Sequence, residues 1–125
     1  MPRPFLPEDR IHPDVREEIA SYGSDILREV QDAIAGNAVV VLGMSQNPFP
    51  RKARKLLDAA GIPYKYLSYG SYLGQWRRRL ALKMWTGWQT FPMVFVRGML
   101  VGGANDLEKL IASGELKKRL AGSWP

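Results

Sequence analysis

The sequence contains no cysteine and only one histidine among its 125 residues. Without cysteine there is no disulfide, no thiolate nucleophile, no Cys-ligated zinc and no Cys-held iron–sulfur cluster. The single histidine, His12, lies in a Pro-flanked terminal segment with no adjacent partner that suggests a triad or metal site, so no metal is expected. Long apolar runs are also lacking. None approaches the ~20 residues a membrane helix needs. The first ten residues have neither an apolar core nor a basic, acid-free character, so no targeting signal is read and a cytoplasmic location is expected.

What is present fits one soluble domain able to bury a core unaided, with 46% hydrophobic and 24% charged residues. The net charge of +6 is unevenly spread. Residues 1–36 hold eight acids against four bases, whereas residues 51–83 hold nine bases against one acid, Asp58. A positive middle favours anionic ligands or partners.

Apolar residues at Ile11, Val15, Ile19, Tyr22, Ile26, Val30 and Ile34 fall three and four apart, the spacing of a helix stripe. Pro13 suits a first turn, and Gly36-Asn37 ends the pattern. Gly23-Ser24-Asp25 interrupts it, with Ser24 a candidate cap, so either one kinked helix or two short ones is expected. The stripe could dock on the domain or form an interface with a second copy or another protein.

The β-branched run at residues 38–43 has the pattern of a strand covered on both faces. Helices follow over residues 51–60 and 71–85, separated by a strand over 63–68. A hairpin turns at Arg97-Gly98 between residues 93–96 and 99–101, and a last full helix over 106–113 is followed by a short turn over 115–120. This alternation predicts an α/β fold with parallel strands and a final antiparallel hairpin.

The stretch Trp85-Thr86-Gly87-Trp88-Gln89-Thr90-Phe91-Pro92, followed by Val94-Phe95-Val96-Arg97-Gly98-Met99-Leu100-Val101-Gly102-Gly103, resembles the substrate-binding half of monothiol glutaredoxins. There Trp-Pro-Thr-Phe-Pro precedes a strand, a turn and Gly-Gly. The resemblance spans residues 39–120. It implies a thioredoxin-like, four-stranded mixed sheet flanked by helices, with residues 37–121 as the glutaredoxin-like domain and residues 1–36 as an N-terminal helical extension. Where the family has Cys-Gly-Phe-Ser or Cys-Pro-Tyr-Cys, this chain has Asn47-Pro48-Phe49-Pro50.

The resemblance also implies a glutathione site. The family's proline matching Pro92 is cis, turning the backbone of Thr90-Phe91-Pro92 toward the ligand; the plainer alternative is a proline that starts an edge strand. Gly102-Gly103-Ala104-Asn105-Asp106 ends a strand and opens a helix, the turn that in the family holds the γ-glutamyl carboxylate. Asn105 replaces a common Asp there and could equally be the helix cap. Arg79, twelve residues before Phe91, matches the family arginine that contacts the glycyl carboxylate. As one of three consecutive arginines it could instead sit on a solvated helix face. The family lysine after the first strand falls on Met44. Phe49 matches a family phenylalanine and is expected to pack, Pro50 suits a first helical turn, and Ser45 is the only hydroxyl in the degenerate loop. Trp76, Trp85 and Trp88 could stack bases but fit core or pocket-wall packing better.

The sequence thus reads as a cysteine-free glutaredoxin-like binding or regulatory module without redox activity, for which glutathione is a candidate cofactor or ligand, or another small anion, and a protein a candidate partner. Nucleic acid is the less favoured partner. The alternative is a glutathione-dependent enzyme, transferase-like or an oxidoreductase by ancestry. The oligomeric state is left open.

Overall fold

The computed structural model describes residues 6–44, 48–69, 76–88 and 90–121. A 3-10 turn at Glu8–Arg10 leads into α1 (Pro13–Ser21) and α2 (Ser24–Gly36), followed by β1 (Val39–Gly43), α3 (Pro48–Ala59), β2 (Lys65–Ser68), α4 (Trp76–Thr86), β3 (Met93–Val96), β4 (Met99–Gly102), α5 (Ala104–Ala112) and α6 (Glu115–Leu120). The interrupted N-terminal stripe is therefore two helices. Gly23, not Ser24, occupies the N-cap of α2, in the left-handed region with φ 66° and no capping side chain. Asn37 closes α2 by donating from Nδ2 to the Ala33 carbonyl, 2.9 Å away.

The sheet order is β2-β1-β3-β4. β1 and β2 are parallel, and β3 and β4 form the expected antiparallel hairpin. β3, however, runs antiparallel to β1, with Met93 opposite Leu42 and Val96 opposite Val39. The chain thus re-enters the sheet at the end by which β1 left it. The sheet is mixed, as expected; the alternation of elements alone does not say to which end the second crossover returns. Arg97 and Gly98 both have positive φ, 49° and 81°, the left-handed pair that a two-residue hairpin demands.

Strand alternation divides the core into two layers. Val40, Leu42, Met93 and Phe95 face one side, where they pack with Ile26 and Val30 of α2 and with Ala81 and Leu82 of α4. Val39, Val41, Val94 and Val96 face the other, against Ala53 and Leu57 of α3, Leu107 of α5 and Leu116 of α6. Full burial of each such side chain contributes about 1.5–3 kcal/mol. This explains the unbroken β-branched run, since β1 and β3 are covered on both faces.

The N-terminal stripe does not behave as one surface. Ile26 and Val30 are buried, but α1 buries nothing, and Val15 and Ile19 stay 46% and 48% exposed. His12 has a local role after all: its Nδ1 accepts the Asp14 amide at 3.2 Å, making it the N-cap of α1.

Tyr69 ties three elements together. Its amide donates to the Gly43 carbonyl at the end of β1 (2.8 Å), its carbonyl accepts from Arg79 (2.8 Å), and its hydroxyl donates to Glu29 of α2 (3.3 Å). Burial, reinforced by the Glu29 charge, pushes the phenol well above its usual range. Because the folded pKa is raised, this group leaves stability unchanged below the unfolded value of ~10, and lowers it as pH rises beyond that. Tyr69→Phe is expected to abolish a loss of up to about 1.4 kcal/mol per pH unit in that alkaline window. Urea denaturation of both proteins between pH 9 and ~12 checks this; parallel curves would refute it.

Candidate functional site

Several of the expected site residues meet where β3 and β4 join α5. Pairing of Val94 with Gly102 brings the Phe91-Pro92 segment alongside Gly102-Gly103. A Cβ placed on Gly103 would lie 3.6 Å from the Pro92 carbonyl oxygen and 4.0 Å from the Trp88 ring, so these groups are in near contact. The Phe91–Pro92 peptide is cis. Phe91 is buried in the core, while Thr90 is exposed at the rim.

α5 begins two residues earlier than its sequence pattern suggests, at Ala104, which makes Gly103 the N-cap. Asn105 is therefore not the cap but a first-turn residue. Asp106 does the capping, its carboxylate accepting the Gly103 amide at 2.9 Å. Helix geometry leaves the first-turn amides without partners inside the helix, at its positive end.

Lys52 of α3, which the sequence did not single out, completes this corner. Its Nζ donates to Asn105 Oδ1 at 3.0 Å and lies 3.4 Å from a Glu108 carboxylate oxygen. With Arg51 and Lys55 it also lines a groove of about 440 Å³ floored by Leu56 and Ala59. No local signal marks Lys52, because the contact spans 53 positions.

Several expected site residues stand elsewhere. Arg79 is not on a solvated face: it is only 6% exposed, and its guanidinium donates to the Tyr69 carbonyl. It locks the end of β2 to α4, a use suited to a buried, many-donor cation. Lys83, one turn later, lies over the Phe91 ring at 5.9 Å and is the less buried cation at this edge. Met44 is buried in the core cluster with Tyr69 and Phe91. Phe49 is 52% exposed, contrary to the expected packing, and Pro50 is buried. Pro48 begins α3, whereas Ser45 and Asn47 lie outside the described residues.

Trp88 packs against the core with its indole N–H buried and lacking an acceptor among the described residues. Trp85 stacks on Phe95 at 6.1 Å. The side chain of Trp76 lies outside the described residues. Among those residues no group of three or more His, Cys, Asp or Glu could hold a metal ion, and no helix is long and apolar enough to cross a membrane.

The glutaredoxin family model matches residues 39–101. The chain belongs to the glutaredoxin family. It is 47% identical over 98 residues to a glutaredoxin-like protein of Dictyostelium discoideum, covering 78% of this chain and 80% of that one. A glutaredoxin of Ricinus communis is 30% identical over 90 residues, covering 72% and 88%. Among solved structures, oxidized glutaredoxin 2 of Chlamydomonas reinhardtii superposes with a TM-score of 0.68 at 29% identity, covering 79% of this chain and 94% of that one. A buckwheat glutaredoxin solved with glutathione shares the fold, with a TM-score of 0.71 at 24% identity over 83% and 96% of the two chains. This member of the glutaredoxin family thus has the thioredoxin-like fold and lacks cysteine altogether.

Proposed function

We propose that this protein is a glutaredoxin-fold binding module that works without thiol chemistry and keeps its cleft for glutathione or a similar small anion. The observation that supports this most is the combination of a missing thiolate with an intact ligand corner, where Gly103 abuts Pro92 at a helix N-terminus. Disulfide exchange proceeds through attack by a thiolate, and cluster assembly in this fold needs a protein sulfur. Neither has a donor here. The corner offers first-turn amides and the Lys52 ammonium, which suit a carboxylate. With Arg79 committed to Tyr69, Lys83 beside Phe91 is the cation for a second carboxylate. The buckwheat relative, crystallised with glutathione, supports the ligand class.

The purified chain is expected to give no turnover in a coupled mixed-disulfide assay and no cluster absorbance after anaerobic reconstitution. Activity in either overturns the non-redox half. Glutathione titration is expected to shift the amides of Phe91, Gly102 and Gly103, with Lys52→Ala weakening binding about threefold, the scale of one exposed ionic contact. Unshifted amides at millimolar glutathione would remove the ligand assignment while leaving the redox result intact.

A further inference from the structure

The apolar surface that α1 leaves uncovered carries an inference of its own. Val15, Glu18 and Ile19 of α1, its C-cap residue Tyr22, and Met84 of α4 line a shallow groove of about 220 Å³. Met84 is 47% exposed, and Leu80, one turn back along α4, is 39% exposed. The two belong to one helix row, so the apolar surface runs from α1 along α4. Scattered exposed apolar residues need no explanation, but a contiguous patch built from two helices does.

The charges around this patch indicate what covers it. At the α1 end, Asp14 and Glu18 stand one turn apart beside Val15 and Ile19, and both are exposed. At the other end, Arg77 and Arg78 are exposed at the start of α4, with Arg77 in the same helix row as Leu80 and Met84. The patch is thus apolar in the middle, acidic at one end and basic at the other. A two-fold axis through its centre would set the acidic end of one copy against the basic end of its partner while Ile19, Leu80 and Met84 meet in between. An isologous contact requires that self-complementarity. A partner of uniform charge would be repelled at one of the two ends.

We propose that the α1–α4 surface is a homodimer interface, formed by two copies of this chain related by a two-fold axis. It leaves the Pro92–Gly103 corner on β3, β4 and α5, and shares with the proposed ligand site only α4, on which Lys83 precedes Met84.

Sedimentation velocity on the full chain, from micromolar to submillimolar concentration, tests it. A concentration-dependent dimer is expected that Ile19→Glu or Met84→Glu converts to a folded monomer, the melting temperature under dilute, monomeric conditions staying unchanged because both side chains are about half exposed. Glu18→Lys or Arg77→Glu alone should each weaken association about tenfold, because a two-fold interface repeats every ionic pair. The double reversal should recover most of the loss. A monomer at every concentration overturns the proposal and leaves the patch to a different protein. Dimerisation insensitive to Ile19→Glu and Met84→Glu also overturns it, by placing the contact on another surface. Loss of the dimer in the apolar variants without rescue by the double charge reversal refutes the two-fold arrangement.

Discussion

Gly102→Ala is expected to lower the unfolding free energy by about 2–4 kcal/mol, combining backbone strain with loss of a helix cap. Gly102 has φ 114°, a region that L side chains rarely adopt. A Cβ there would lie 2.4 Å from Asp106 Oδ2 and 2.7 Å from its Cγ. The carboxylate must then leave the Gly103 amide it caps at 2.9 Å. Asp106→Ala provides the comparison, since it removes only the cap and should cost about 1 kcal/mol. Equal losses in the two variants, measured by urea denaturation, would show that Gly102 carries no strain of its own. The alanine variant should also lose glutathione-induced shifts at Gly103, because the amides of the corner move with the cap.

Gly23→Ala is the second large effect, also about 2–4 kcal/mol, from left-handed strain plus overpacking. Gly23 lies where α2 crosses α4, and a Cβ on it would sit 2.4 Å from the Ala81 Cβ. Neither atom can swing aside, because each is fixed to helix-end or helix backbone. Combining Gly23→Ala with Ala81→Gly should return the overpacking part and leave the conformational strain together with about 1 kcal/mol for glycine inside α4. A double-mutant cycle measures the coupling. Strict additivity would mean that the helices separate freely at this point.

Much of this architecture was legible because it rests on local periodicity. The run from Val39 to Leu42 announced a strand covered on both sides, and Arg97-Gly98 announced the hairpin. Thr90-Phe91-Pro92 and Gly102-Gly103 marked the segments that the structure brings together. What escaped the sequence depends on distant partners. For Arg79 the sequence left a carboxylate contact and a solvated face both open, yet it turns inward and donates to the Tyr69 carbonyl at the end of β2. Lys52 gains its place at the α5 corner from helix packing, and nothing near it in sequence signals that. Phe49 was expected to pack, and it is 52% exposed where α3 begins. The helical stripe was correct in period and silent on coverage, since spacing identifies a face without saying which part of it finds a neighbour.

The unequal anchoring of α1 and α2 divides the chain in time as well as in space. Amides of α2 are held by Ile26 and Val30 in the core and by the Glu29–Tyr69 bond, so their exchange with solvent deuterium requires opening of the domain itself. Amides of α1 have no buried side chain above them and exchange by local fraying. A step in protection is therefore expected at Gly23, with residues 24–36 exchanging as part of the cooperative folding unit and the first helix left to be ordered by whatever settles on it.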